Sequence, residues 1–395
     1  MKETTDTHVA SAVARQWGAA LRSEWQLDPA IAHLNHGGFG LTPNAVFAAQ
    51  TQWRMRIERD PTRFMAVELE GELRKATAPV AAAIGANHED LVFIENATVG
   101  LNAVLRALDF EPGDEILITR LGYPAIRKAA LYAASRSGAR LVEVEIGLPL
   151  ADSAALLRAV ANKLSIRTKL AIFDHVASHS ALVLPIAALT RLAHEAGARV
   201  MIDGAHAPGM LAFDVHQIGA EWYVGNLHKW YFAPRCCGFL WAQKAVQGLT
   251  RPLAISHGYG NGFRAEFEWT GTRDVTAALA APAALEFHAR LGGPALMARN
   301  QALAREAGAL LAHAWRTGMT GPAESLAAMA TVRLPYAGPC DEARALALAG
   351  ELSQRHHIAA PVVVLDGALW VRIAAQAYNE LGDYERLAAI YRRAS

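Results

Sequence analysis

Short β-rich runs alternate with alanine- and leucine-rich stretches of helical period through the middle of this chain, and this alternation restricts the fold more than any other feature. Glu115–Thr119, Leu141–Glu145, Leu170–Asp174, Val200–Asp203 and Trp222–Val224 are the strand candidates. The pattern predicts an α/β fold built on a largely parallel sheet with helices on both faces. In open sheets of this kind ligands sit beyond the carboxyl ends of the strands. Tyr123, Ser178, Asp203 and Lys229 all fall at such ends, which gives four scattered residues a common location.

Lys229 and Asp203 suggest the chemistry. A lysine amine forms a Schiff base with an aldehyde cofactor, and an aspartate pairs with a pyridinium nitrogen so that the ring becomes an electron sink. Asp203-Gly204-Ala205-His206 followed by Asn226-Leu227-His228-Lys229 has a spacing suited to pyridoxal phosphate. Asn96-Ala97-Thr98 precedes an apolar helical period, and free amides at that N-terminus together with the Thr98 hydroxyl suit a phosphate. The same three residues also make an ordinary helix N-cap. Taken singly, Asp203 reads equally as a turn residue, Tyr123 as a core aromatic, His206 and His228 as satisfied polar groups, and Arg372 as a surface cation.

Composition narrows the partner. With 38 basic and 37 acidic side chains, a net charge of +1 and no long run of either sign, the chain lacks the electrostatic footprint of a nucleic-acid or membrane-surface binder. A small molecule is the expected partner. The acidic, polar start Met1-Lys2-Glu3-Thr4-Thr5-Asp6 does not fit a secretory signal. Three cysteines, with Cys236 and Cys237 adjacent and read as buried packing, do not make a disulfide framework. A cytoplasmic location is the expectation. The length of 395 residues suggests two domains. The expected division is an N-terminal segment 1–30 associated with the small domain, a large cofactor-binding domain over 31–285, and a smaller α+β domain over 286–395.

Asn96-Ala97-Thr98, Asp203-x-Ala205-His206, Asn226-x-His228-Lys229 and Thr270-Gly271-Thr272 occur in the order seen in class V aminotransferases. The chain resembles that family of fold-type-I pyridoxal phosphate enzymes. Leu34-Asn35-His36-Gly37-Gly38-Phe39-Gly40 and the stretch from Trp370 to Asn379 resemble its isopenicillin N epimerase-like branch. The resemblance implies a mostly parallel seven-stranded sheet sandwiched by helices, and a homodimer with active sites at the subunit interface. It implies that Lys229 carries the cofactor, Asp203 meets the ring nitrogen, Tyr123 stacks on one ring face and Ala205 packs on the other. His206 would contact the phenolic oxygen with help from Ser178. Ala97, Thr98, Asn226 and His228 would hold the phosphate, joined by Thr272 from the neighbouring subunit. Arg372 would clamp the substrate carboxylate, with Asn35, His36 and Gly37 beside it.

The resemblance implies an enzyme acting at the α-carbon of an amino acid or an amino-acid-containing peptide, with epimerisation first. A carbon–sulfur β-lyase resembling the hercynylcysteine sulfoxide lyases comes second, and an aminotransferase third. A non-catalytic binding module is the weakest reading, because Lys229, Asp203, Thr98 and Arg372 occur together. Cysteine desulfurases that resemble the chain carry a persulfide-forming cysteine in a His-His-Cys-Ala stretch; here it reads His356-His357-Ile358-Ala359, and isoleucine has no thiolate. His36, Tyr231, Tyr259 and Arg264 are the candidates for the substrate's side-chain pocket. His175 and His179 lack the setting of a metal pair. Arg54, Arg56, Arg59 and Arg63 read as a solvated helix face.

Overall fold

The computed structural model describes residues 17–391, so the first sixteen residues of the expected segment 1–30 lie outside the described residues. The strands are β1 (Ala32–His33), β2 (Leu91–Ile94), β3 (Glu115–Thr119), β4 (Arg140–Val144), β5 (Thr168–Asp174), β6 (Arg199–Gly204), β7 (Trp222–Asn226), β8 (Gly238–Ala242), β9 (Met329–Arg333), β10 (Ile358–Ala359), β11 (Val362–Leu365) and β12 (Ala368–Ala374). Seven of them form the main sheet in the order β2-β8-β7-β6-β5-β3-β4. Only β8 runs against the others. The fold is therefore the α/β arrangement that the alternating pattern requires.

The five strands expected from the sequence all lie in this sheet, with ends that differ by a few residues. Every position of β2, β3, β7 and β8 is buried, as sheets covered on both faces demand. On one face the helices Ala97–Ala107 and Pro124–Ser137 bring Leu101, Val104, Ile126 and Ala130 against Ile118, Met201 and Leu240. On the other, Leu69–Ala83 and Ile186–Glu195 bring Leu73, Val80 and Leu189 into one cluster with Phe173, Ile202 and Trp241.

The reversal at β8 places the chemistry. Parallel neighbours need a long crossover, whereas antiparallel ones can be joined by a short turn. The turn 227–237 between β7 and β8 carries Lys229, so the lysine stays at the carboxyl edge of the sheet.

The C-terminal part is a three-stranded antiparallel sheet, β11-β12-β9, with the helices Pro294–Trp315, Glu342–His356 and Leu381–Ile390 packed around it. The N-terminal segment reaches across to it. β1 pairs in parallel with β10, the Gly18 amide donates to the Ala377 carbonyl at 2.7 Å, and Arg22 pairs with Asp383 at 2.6 Å. No helix among the described residues is long and apolar enough to cross a membrane.

Candidate active site

The backbone of the β7–β8 turn fixes Lys229. The amides of Leu227 and His228 both donate to the Cys237 carbonyl, at 3.0 and 3.2 Å, and the Ala233 amide donates to the Leu227 carbonyl at 3.1 Å. His36 adds a brace from the N-terminal loop, with Nε2 3.0 Å from the Lys229 carbonyl oxygen and Nδ1 3.0 Å from the Tyr378 hydroxyl. A carbonyl only accepts, so Nε2 carries the ring proton and Nδ1 accepts from Tyr378. Gly40 permits the close approach, since at φ 65° its added Cβ would stand 1.7 Å from the His228 carbonyl oxygen. Gly40→Ala is expected to cost about 2 kcal/mol or more of stability. A melting temperature equal to the parent's would contradict this.

Lys229 Nζ lies 3.2 Å from His206 Nε2. Burial pulls the ammonium down to about 7, opposed by the Asp203 carboxylate and assisted by the Arg372 charge. Burial, then the Lys229 and Arg372 charges, holds the His206 imidazole neutral well below its ordinary range. Both residues border a cavity of about 740 Å³ together with Asp203 and Asp174. Burial raises Asp203 above the usual carboxylate range, while the Ala205 amide and Lys229 oppose the rise. Burial and the neighbouring Asp203 raise Asp174 further.

At another end of the cavity stands the N-terminus of the Ala97–Ala107 helix, where Ala97, Thr98 and Val99 face the space. Asn96 caps the Val99 amide at 3.0 Å, and Asn226 Oδ1 accepts from the Ala97 amide at 2.8 Å. Asn226 thus ties the β7 end to the helix. His228 Nδ1 lies 2.9 Å from the Cys237 carbonyl, which leaves Nε2 as the free nitrogen, and burial pulls the ring down to about 4.

Arg372, from the centre of the small sheet, reaches the opposite wall. Its Nη1 donates to the Ser178 carbonyl at 2.7 Å and its Nη2 to Asn35 Oδ1 at 2.8 Å. The buried Nε has no protein partner. Burial brings the guanidinium down to about 10, a range in which it remains charged at neutral pH.

These features fit pyridoxal phosphate. Asp203 and Asp174 are buried carboxyls side by side, an arrangement that calls for a cation such as a pyridinium. The helix N-terminus suits the phosphate, and the lysine amine near neutrality suits an aldehyde.

The cavity gathers Asn35, Gly37, Ala97, Thr98, Tyr123, Ser178, Asp203, Ala205, His206, Asn226, His228, Lys229 and Arg372. Several other expectations are corrected. His36 is fully buried behind the lysine, with both ring nitrogens engaged, and does not line the cavity. Thr272 is not among these: it is exposed, and it was expected in a neighbouring subunit's cavity, not in this chain's own. Tyr231 is buried with its ring edge against His288. Tyr259 is 63% exposed and borders a separate cleft. Arg264 is held by Glu89 at 2.5 Å and Glu268 at 3.2 Å. Cys237 is buried as expected, but Cys236, at a left-handed φ of 69° in the turn before β8, is exposed and borders the cavity. Arg56 pairs with Glu68 and Glu72, and Arg54 with Asp274, all on the surface.

Asp174 and His179 line the cavity without having been singled out as site residues. The last residue of an apolar strand run is acidic at both Asp174 and Asp203, and this repetition was the available signal.

The family model described as aminotransferase class-V matches residues 42–387. The chain is 33% identical over 389 residues to a probable chloroplastic L-cysteine desulfhydrase of Arabidopsis thaliana, covering 91% of this chain and 82% of that protein. It is 32% identical over 386 residues to isopenicillin N epimerase of Streptomyces clavuligerus, covering 93% and 96%. Among solved structures, the apo cysteine desulfurase of Thermococcus onnurineus NA1 superposes with a TM-score of 0.78 at 22% identity over 95% of this chain and 97% of that one, a likeness of fold.

Proposed function

The chain belongs to the aminotransferase class-V family of pyridoxal phosphate enzymes, and from that premise we propose that it cleaves the carbon–sulfur bond of a free cysteine-type amino acid by β-elimination. The observation that carries this reading is the 33% identity to an L-cysteine desulfhydrase, joined by the half-buried Lys229 amine that stands 3.2 Å from His206 Nε2 and is held near 7. A group that must first take a proton and then give one works best when its pKa lies near the working pH. Elimination asks one lysine for both tasks.

Bound in the cavity, pyridoxal phosphate supplies a sink for the electron pair left when the Cα–H bond breaks. In this reading Lys229 would hold the cofactor through its amine, and the freed Nζ would remove the α-proton and hand a proton to the departing sulfur. Asp203 keeps the ring nitrogen protonated. Arg372, its plane set by the Ser178 carbonyl and Asn35, holds the α-carboxylate with its remaining N–H groups. The net change consumes the amino acid and water and releases a thiol or sulfide, a keto acid and ammonia. The desulfhydrase relative supports this choice.

Epimerisation, which the sequence alone put first, is the second reading, supported by the epimerase relative that is covered almost end to end. It needs a proton delivered to the face of Cα opposite the one deprotonated. The proposed assembly is a homodimer in which Thr272 serves the neighbouring cavity, and the proposed location is the cytoplasm. The test is incubation of the cofactor-loaded chain with L-cysteine and other L-amino acids in heavy water. Stoichiometric keto acid and sulfide are expected. Deuterated, inverted amino acid without sulfide would replace the lyase reading with the epimerase one, and conversion of the cofactor to its amine form pending a keto acid would indicate an aminotransferase.

A further inference from the structure

β5 and β6 run parallel and in register, and the last residues they pair are Asp174 and Asp203. Residues directly opposed on neighbouring strands project from the same face of the sheet. Both side chains border the same cavity, with exposures of 3% and 4%. Two carboxyls so placed, out of water, do not both ionise.

Their surroundings differ. Asp203 Oδ1 accepts from the Ala205 amide at 2.8 Å, and Lys229 approaches it from the β7–β8 turn. The Tyr223 hydroxyl stands near Asp203 from β7 and is itself tied to His175 Nδ1 at 2.8 Å. Asp174 is faced by the backbone N–H groups of Tyr123 and of its own residue. The absence of a side chain at Gly122 makes room, since a Cβ there would stand 3.1 Å from Asp174 Oδ2. Asp174 thus has the Tyr123 turn on one side and, one strand over in register, Asp203 on the other, while the lysine favours ionisation of Asp203.

We propose that Asp174 is a positioning residue that keeps the one proton shared by the two carboxyls and donates a hydrogen bond with it to Asp203, so that Asp203 meets the cofactor's ring nitrogen as the ionised partner. The inference rests on the reading that places the ring nitrogen at Asp203. The balance is one proton for two carboxyls, with a single negative charge on Asp203. A hydrogen bond from Asp174 lowers the basicity of Asp203, so the ring nitrogen keeps its own proton and the ring remains a strong electron sink. Without that donor, Asp203 becomes the better base and takes the proton from the ring.

The test compares the full chain with Asp174→Asn, whose amide can still donate, and Asp174→Ala, which cannot. Each is loaded with pyridoxal phosphate carrying a ¹⁵N label in the ring. The parent and Asp174→Asn are expected to show the protonated ring-nitrogen resonance and similar cofactor affinity. Asp174→Ala is expected to move the resonance toward neutral pyridine and to weaken the cofactor by about tenfold. An unmoved resonance in Asp174→Ala, or an Asn variant that behaves like Ala, overturns the proposal. Infrared spectra of the cofactor-free chain separate this outcome from failure of the functional reading. A buried protonated-carboxyl band is expected and should vanish in Asp174→Asn, and its persistence there overturns the proposal whether or not cofactor binds.

Discussion

Lys229→Ala is expected to lower turnover by about three to four orders of magnitude, while the protein folds and still takes up cofactor through the phosphate end of the cavity. The variant removes the proposed proton carrier and the only amine seen against His206 Nε2 among the described contacts. Folding should not suffer. Burial depresses this ammonium from its ordinary value to about 7, so below about pH 10 the charged form disfavours the folded state, and increasingly so as the pH falls toward 7. Deleting it leaves the melting temperature unchanged or higher. Borohydride should no longer fix the cofactor to the chain. Turnover within tenfold of the parent, measured as sulfide and keto-acid release, would remove Lys229 from the chemistry.

Arg372→Ala is expected to raise KM for free amino acids by about a hundredfold, with a smaller change in kcat, because a carboxylate loses charge-assisted hydrogen bonds made in ground and transition states alike. Arg372→Lys should recover only part of the loss, since an ammonium restores the charge but not the planar fork that also holds Asn35 and the Ser178 carbonyl. A purely structural arginine would give a different result: a lower melting temperature in both variants and no shift of KM in the fraction that remains folded.

The sequence exposed the site more fully than the fold. Tyr123, Ser178, Asp203 and Lys229 were legible because strand ends in an alternating chain converge, and a lysine after an apolar run has few structural reasons to be buried. β8 was not legible, because Gly238–Ala242 is a short continuous apolar run whose direction is set by the turn before it and not by any periodicity. β1 and β10 are two residues each and exist only through their pairing. His36 was misplaced because the glycines beside it signal a turn, and sequence does not say which side of the turn faces the cavity. Arg264 and Tyr259 failed for a related reason: a loop supplies candidates, and its long-range partners, such as Glu89 for Arg264, decide where they point. Asp174 was overlooked because a strand-ending acid is common, and its meaning comes from its register with Asp203.

The position of the proposed carboxylate anchor bears on how the protein comes into being. Arg372 and Asn35 are separated by 337 positions, whereas the helix N-terminus, both aspartates and the lysine all precede residue 230. A ribosome adding roughly 5–20 residues per second therefore supplies these groups about seven to thirty seconds before the arginine. During that interval a nascent chain has the groups to engage pyridoxal phosphate but not the one proposed to retain an amino acid. Synthesis thereby supplies this chain's own cofactor-facing groups before the proposed substrate anchor, and the Tyr378 that braces His36 behind the lysine arrives with that anchor.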